Sequence, residues 1–338
     1  MVDQVMTIPP ATRRPGLQAS VAAVVLGGLA LVPVAAAIAG EPFYLVLVSR
    51  ILIFALAAVG LNLVLGYGAM VSLGHALYLG IGAYAVGILS AHGIDNGYVQ
   101  LLAALIIGLA VAVPIGLVCL RASGLAFIMI TLAFAQMFYF LAVGLKQYGG
   151  DDGLPLAARS DFGWFTLENA TVLYYAIYVA LAAVLFLFHR LIHARFGMVL
   201  RGTRSNERRM KALGFPTLRY RLAAYVLSAL VCVIAGMFLA NLTRYTSPSY
   251  MAWSMSGDLI VMVVLGGIGT LVGPVIGAVV WIAIEEAMSG FRLDLPWGAD
   301  ALLRDHWLLL LGGFIVVVTL TLKQGLYGSL PKPREDRS

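Results

Sequence analysis

The sequence predicts an all-α protein that crosses a membrane several times, because of its composition, its long apolar runs and the position of its charges. Of its 338 residues, 61% are hydrophobic and 11% are charged, and the mean hydropathy is +0.95. These polar side chains are too few to cover a water-facing surface, which excludes an ordinary soluble domain. The formal net charge is +6, and the charged residues lie between apolar runs. Nucleic acid is therefore not an expected partner, because binding it requires a basic face on a soluble module.

Runs of about 20 apolar residues are long enough to cross the hydrocarbon layer, and they predict the membrane segments. The clear runs are 17–39, 43–65, 71–91, 98–120, 124–145, 171–189, 221–243 and 306–322. The run 257–289 is too long for one span, and Gly266-Gly267-Ile268-Gly269 followed by Gly273-Pro274 interrupts it. We predict two short helices that meet at a break there, or a re-entrant hairpin. The transmembrane domain, residues 17–328, then has about ten transmembrane or half-membrane helices.

Lysine and arginine predict the orientation, because short loops rich in them stay in the cytoplasm. Residues 190–221, called the basic segment below, are rich in arginine and contain a single acid, Glu207. We place this segment in the cytoplasm, which puts the tails 1–16 and 329–338 there as well and puts the acidic loop, with Asp151, Asp152, Asp161 and Glu168, outside. A cytoplasmic C-terminal tail requires an even number of passages between residues 221 and 323, which the two segments predicted in 257–289 supply. An uncleaved first helix is favoured over a signal peptide, because its apolar run exceeds the typical signal core of about 15 residues.

Titratable residues inside the spans are the mark of ion-coupled carriers, and this chain has few of them. Arg50, Asp258 and Glu285 lie towards span ends, where we interpret them as interface anchors or caps. The sequence also has no Gly-x-x-x-x-Gly-Lys-Ser/Thr phosphate loop. We therefore expect no catalytic residue, metal or cofactor on this chain, and any pumping must draw its energy from another chain.

Two glycine-rich stretches are candidates for a gate or translocation path. Ser72, Gly74 and His75 belong to the first stretch, and Gly266, Gly267 and Gly273 belong to the second. Glycine at this density lets helices pack closely or lets one unwind, so both interpretations stay open. A hydrolase based on a serine and histidine pair is disfavoured, because no third group orients the histidine and no Gly-x-Ser-x-Gly elbow is present.

Residues 201–215 predict a short helix inside the basic segment. Ser205 is the predicted N-cap, and the helix should end at Gly214 before Pro216. The capped length and the apolar residues Met210 and Leu213 favour insertion into a groove of another protein. The alternative is a basic loop that binds anionic lipid.

Several motifs occur in order along the chain. They are Gly60-Leu61-Asn62-Leu63, Ser72-Leu73-Gly74-His75, Gly149-Gly150-Asp151-Asp152-Gly153-Leu154, Arg204-Ser205-Asn206-Glu207, Ala212-Leu213-Gly214 and the run from Val263 to Ala278. Together they resemble the motifs of the branched-chain amino acid ABC permeases of the LivM type. Their order along residues 44–328 makes chance similarity an unlikely explanation. Thr203 and Met210 depart from the pattern, which commonly has an aliphatic and a small residue at these places.

The resemblance implies an ABC importer permease architecture in a bacterial inner membrane. Besides the membrane lipid, it implies three kinds of protein partner: a homologous second permease, two cytoplasmic ATPases that carry ATP and Mg, and an external solute-binding protein. The residues implied to dock on an ATPase are Arg204, Asn206, Glu207, Arg208, Ala212 and Gly214, and Asn62 joins the candidates for the gate. We expect Glu207→Lys to abolish uptake while membrane insertion survives.

The solute implied by the resemblance is leucine, isoleucine or valine, moved by alternating access. Import of urea or a short amide is the nearest alternative within the same class. A passive channel for a small neutral solute is the alternative from another class, but such a channel has no reason to carry a capped basic helix.

Overall fold

The computed structural model of the chain describes residues 17–290, 312, 313, 316 and 325–329. Its helices are α1 (Leu17–Ala39), α2 (Pro42–Asn62), α3 (His75–Ala91), α4 (Gly97–Cys119), α5 (Leu125–Gly144), α6 (Ala170–His193), α7 (Arg195–Ser205), α8 (Glu207–Ala212), α9 (Thr217–Thr243), α10 (Trp253–Gly266), α11 (Gly273–Gly290) and α12 (Gly325–Gly328). A π-helical turn, Leu63–Tyr67, extends α2. The strands β1 (Leu154–Pro155) and β2 (Tyr245–Thr246) pair antiparallel.

The prediction of an all-α multi-pass membrane protein is confirmed. Within the described residues, six helices are long and apolar enough to cross a membrane, and α3 and α10 are shorter apolar helices. The predicted span 306–322 lies outside the described residues, apart from positions 312, 313 and 316. The predicted tail 1–16 lies outside them entirely, and the tail 329–338 does so beyond its first residue.

Helix α9 is the centre of the bundle and packs against α2, α3 and α4. Small residues bring its backbone against that of α3. A Cβ atom on Gly236 would overlap the carbonyl of Leu79, and one on Gly82 would overlap the carbonyl of Val233. Close approach of this kind is how small residues join helices in a membrane, where packing rather than hydrophobic burial drives association.

The predicted break in 257–289 is confirmed. Helix α10 ends at Gly266 and α11 begins at Gly273. Between them, Gly267 has φ +125° and Gly269 has φ +77°, which are backbone conformations that glycine adopts without a steric penalty. The glycines therefore form a turn between two helices rather than a weak point within one.

The predicted start of the third span at residue 71 is wrong, because α3 begins at His75 and residues 68–74 are not helical. This non-helical segment enters the bundle, and Ser72 and His75 are fully buried. Its backbone is bonded by a side chain of a neighbouring helix, since Thr131 Oγ1 accepts from the Leu73 N–H at 3.3 Å. Apolar periodicity alone did not distinguish such a buried extended segment from a helix.

A second interruption, residues 245–252, consists of strand β2 and the 3₁₀ turn Pro248–Met251; it precedes α10 and runs antiparallel along α3. A Cβ on Gly87 would touch Thr246, a Cβ on Gly80 would touch Met251, and the Ala76 N–H donates to Ser256 Oγ at 3.0 Å. These contacts descend α3 by about 16 Å at the rise of an α-helix. Helices α3 and α10 thus both begin part-way along the bundle rather than at one of its ends.

The two ends of the bundle differ in charge. The end called the basic end holds the basic segment, the C-terminus of α2 and the turn before α5. Both termini of the described chain also lie there, since Tyr327 Oη donates to the Gln18 carbonyl at 2.9 Å and Gly325 lies against Gly267. The acidic loop with Asp161 meets the N-terminus of α4 at the other end. This arrangement agrees with the even number of passages predicted between residues 221 and 323.

We predict that Gly236→Ala lowers the stability of the purified protein by about 1–3 kcal/mol, because the added methyl group must displace the α3 backbone. The measurement is thermal unfolding in a mild detergent, followed by size-exclusion chromatography. Gly144→Ala is the matched control, since nothing lies within 4 Å of a Cβ at this end of α5. Equal unfolding temperatures for the two variants would contradict the close α3–α9 contact.

Candidate coupling site and broken helices

The basic segment folds into two helices, α7 and α8, rather than the one that was predicted. Ser205 is the last residue of α7, so its prediction as an N-cap is wrong. Asn206 caps α8 instead, with its Oδ1 accepting from the Arg209 N–H at 3.0 Å. Both side chains are good N-caps, and the choice between them depends on where α7 ends. Gly214 follows α8 with φ +84°, in the left-handed conformation that commonly ends a helix.

Glu207, the single acid of the basic segment, is bonded inside this chain. Its carboxylate accepts from Arg221 Nη1 at 3.0 Å, from Lys211 Nζ at 2.9 Å and from Thr217 Oγ1 at 3.4 Å. Partial burial acts to raise the pKa of this carboxyl. Together, the hydrogen bonds from Lys211 and Thr217 and the positive charges of Arg221 and Lys211 outweigh this effect, so the pKa lies below its usual range. Glu207 thus joins α8 to the start of α9.

Arg204 joins the basic segment to the membrane-embedded part of the chain. Its Nη1 donates to the carbonyl of Gly66, in the π-helical turn that extends α2. The same nitrogen would lie 3.7 Å from a Cβ on Gly269, in the turn between α10 and α11. One guanidinium therefore sits where the coupling segment, the end of α2 and the broken helix meet.

Asn62 holds the turn between α10 and α11. Its Oδ1 accepts from the Gly269 N–H at 3.0 Å, and its Nδ2 donates to the Thr270 carbonyl at 2.7 Å. A Cβ on Gly66 would come within 2.6 Å of the Gly269 nitrogen, so the two backbones are in contact. Of the residues predicted for the gate, Asn62, Gly266, Gly267 and Gly273 therefore lie together at this turn.

The other predicted gate residues, Ser72, Gly74 and His75, lie together at the start of α3. Ser72 Oγ accepts from the Gly74 N–H at 3.2 Å and does not meet the histidine in a hydrogen bond. His75 Nε2 instead lies 2.9 Å from Ser228 Oγ, and that hydroxyl donates to the Gly60 carbonyl at 2.6 Å. The single hydroxyl proton is thereby used, so Nε2 carries the histidine proton and donates to Ser228. The contact joins α2, α3 and α9.

The predicted ATPase-docking residues separate into two groups in the structure. Arg204 and Glu207 bond other parts of this chain, whereas Arg208 and Ala212 are exposed. The apolar Leu213 is 65% exposed, but Met210 turns inward and lies against Gly202 of α7. Only part of the predicted set is therefore free to meet a partner.

Arg50 and Glu285, interpreted from the sequence as separate anchors or caps, form an ion pair at 3.1 Å that joins α2 to α11. The residues lie 235 positions apart, and nothing in the apolar pattern brings them together.

In the part of the chain that the structure describes, no group of three or more His, Cys, Asp or Glu side chains is placed to hold a metal ion.

Sequence reasoning missed three polar side chains that complete these sites. Arg221 is the partner of Glu207, Ser228 is the partner of His75, and Ser256 bonds the first turn of α3. The sequence did contain a signal for Arg221, because Glu207 is the single acid in an arginine-rich segment and must have a cationic neighbour. The two serines had no comparable signal.

The long apolar helices and the two helices that begin part-way along the bundle define a multi-pass membrane permease. A family model described as the branched-chain amino acid transport system permease component matches residues 43–319. The chain belongs to this family, which confirms the resemblance found in its motifs.

Curated relatives agree with the family. The high-affinity branched-chain amino acid permease proteins LivM of Salmonella typhimurium and Escherichia coli are each 25% identical over 299 residues, covering 81% of this chain and 68% of the relative. LivH of Escherichia coli is 24% identical over 263 residues, covering 72% and 84%. The fructose import permease FruG of Bifidobacterium longum is 23% identical over 173 residues, covering 47% and 51%. No solved structure matches the chain.

We predict that Asn62→Ala lowers the stability of the purified protein by about 1–3 kcal/mol, because it leaves a partly buried N–H and a partly buried carbonyl of the α10–α11 turn without their side-chain partner. Asn62→Asp keeps the acceptor for Gly269 and should recover part of that loss. Thermal unfolding of both variants in detergent provides the measurement. Unchanged unfolding of Asn62→Ala would show that the turn does not depend on this side chain.

The lowered pKa of Glu207 predicts how the order of α8 depends on pH. The stabilisation from the ionised carboxylate is complete above the unfolded pKa of about 4.3 and is lost as the pH falls through the lower folded value. Hydrogen exchange of residues 207–217, corrected for intrinsic rates, should be slower in the wild type than in Glu207→Gln at neutral pH. The difference should shrink as the pH falls below the unfolded pKa of about 4.3. A difference that is independent of pH would contradict the ion pair.

Proposed function

We propose that this chain is a permease subunit of an ATP-driven importer for branched-chain amino acids. The chain has no ATP site of its own, and the energy comes from two cytoplasmic ATPase subunits that bind ATP and Mg. A homologous permease completes the membrane domain, as the LivM and LivH pair of relatives suggests. An external solute-binding protein delivers the solute to the end of the bundle that holds the acidic loop. The membrane is the bacterial inner membrane, with both termini in the cytoplasm.

The observation that carries this proposal is the linkage between the exposed basic segment and the broken helices. Leu213 and Arg208 are exposed on α8 and the turn after it, where an ATPase would dock. Arg204, one helix away, bonds the Gly66 carbonyl beside the α10–α11 turn. A movement of the basic segment would therefore reach the ends of α2 and α10 directly. Alternating access requires such a connection between the energy source and the path of the solute.

The solute is the part of the proposal for which the relatives differ. Most of the permeases found carry branched-chain amino acids by name, and one is a fructose import permease. Urea or a short amide remains the alternative within the importer class, and a passive channel remains the alternative outside it. Purification of the tagged chain from its native membrane tests the class first. Co-purification of two phosphate-loop ATPases and a second permease is the expected result, and recovery of the chain alone would count against it.

The reconstituted complex then tests the solute. Labelled leucine should enter proteoliposomes faster with ATP than without it. Uptake of labelled urea and labelled fructose is measured in the same way for comparison. ATP-independent equilibration of urea would instead support a channel.

We predict that Leu213→Ser lowers the amount of co-purified ATPase about tenfold, the effect of removing one apolar anchor from an interface. Uptake should fall in parallel, while the amount of permease in the membrane stays the same. The matched control is Met198→Ser, because Met198 is 57% exposed on α7 but lies outside the predicted docking residues 201–215. Equal loss in both variants, or loss in neither, would contradict docking through α8.

A further inference from the structure

A cavity of about 190 Å³ opens at the basic end of the bundle, between the basic segment and the non-helical segment 68–74. It lies where the coupling site meets the segment that leads into α3. Arg204 and Glu207 of the coupling site line it, and so do Met70 and Val71 of the segment that leads into α3. Neither the family nor the relatives assign a role to this space.

The lining combines an apolar surface with charges of both signs. Met70, Phe127 and Ile128 supply the apolar part, and the first two are almost completely buried. The charged part consists of two guanidinium groups and one carboxylate, so it carries a net positive charge. A ligand that matches this lining has an apolar body, a negative group and a positive group.

Arg221 is the strongest indication that the negative group belongs to a ligand. Its side chain is only 10% exposed. Its Nη1 donates to Glu207 at 3.0 Å, but its Nε has only the sulfur of Met70 as an acceptor, at 3.3 Å. A thioether is a weak acceptor, and no described residue accepts from Nη2. A buried guanidinium with so few strong acceptors gains much from a carboxylate that it can bind in a bidentate manner.

Arg204 also has guanidinium N–H groups that can bind a carboxylate. Only its Nη1 has an acceptor in the described part of the chain, the Gly66 carbonyl, so the rest of its guanidinium is available to the cavity. Glu207 supplies the opposite charge, and its oxygens already accept from ammonium and guanidinium groups. A free ammonium group is therefore a compatible neighbour for it.

We propose that this cavity is an internal binding site for an apolar α-amino acid. The carboxylate of the ligand lies on Arg221 and Arg204, its ammonium group faces Glu207, and its side chain lies against Phe127 and Ile128. The inference rests on the proposed function, in which the basic end is the side where the solute leaves. It adds the residues that the solute contacts there and a reason for the preference for apolar amino acids.

A phosphate-bearing ligand, free or on a lipid, would use the two arginines but not the apolar lining or Glu207. The probes are chosen to separate these ligands. Leucine carries both charges and the branched side chain, leucinamide lacks the carboxylate, 4-methylpentanoate lacks the ammonium group, and alanine lacks most of the side chain. Inorganic phosphate represents the purely anionic ligand.

The experiment is saturation-transfer NMR on the whole permease–ATPase complex in nanodiscs, without ATP and without the solute-binding protein. We expect leucine to bind, and each of the other probes to bind about tenfold more weakly or less, the usual effect of losing a matched group. Ile128→Phe should weaken leucine binding about tenfold relative to alanine, because it fills the apolar part of the cavity. Ile128→Ala, which carries less risk of misfolding, should also reduce the preference for leucine over alanine. Met129→Phe is the matched control and should change nothing, since Met129 is the next residue of α5 and is 55% exposed.

Three results would overturn the inference. They are the absence of leucine binding in the wild type, equal effects of the Ile128 and Met129 variants on leucine preference, and displacement of leucine by phosphate or 4-methylpentanoate as readily as by leucine itself. ATP-driven leucine uptake with the binding protein present separates this inference from the proposed function. Uptake together with any of these three results would reject the cavity site alone, and absence of ATP-driven uptake would reject the proposed function.

Discussion

Peptide groups without partners are the main constraint on this fold. Two stretches of backbone outside the α-helices, residues 68–74 and 245–252, lie within a bundle of apolar helices, where hydrocarbon supplies no hydrogen bonds. Side chains from neighbouring helices supply them instead. Thr131 bonds the first stretch, and Ser256 bonds the turn of α3 beside the second. Asn62 does the same for the turn between α10 and α11. Each of these polar side chains lowers the free-energy cost of an interruption in a helix.

The same bonds explain why the interruptions are connected to the basic end. Asn62 lies one turn before Gly66, whose carbonyl is bonded by Arg204 of the basic segment. Glu207 and Arg221 then tie that segment to α9, the helix at the centre of the bundle. Coupling between distant sites travels through packed elements of this kind when they have two stable arrangements. In the proposed importer, the cavity lies along this route, so the solute site and the coupling site share residues.

Much of the fold was predictable from local pattern. Apolar run length predicted the long helices, and glycines predicted the break after Gly266, because both are properties of a short stretch of chain. The start of α3 and the cap of α8 were not predicted correctly. Residues 71–74 are apolar or small, so their sequence is compatible with a helix. Ser205 is as good an N-cap as Asn206. In both cases the surrounding structure, rather than local propensity, decides between alternatives of similar energy.

The sequence by itself determined that the chain is a multi-pass membrane protein, that its basic segment and acidic loop are separate, and, through its motifs, the family. These follow from composition and from residues close together in the chain. Only the tertiary structure decided that Glu207 pairs with Arg221 and that Arg204 reaches Gly66, 138 residues away. It also decided that Arg50 pairs with Glu285. The reason is physical: which polar groups become partners depends on how the helices pack, and an apolar helix face contains little information about which neighbour it will meet.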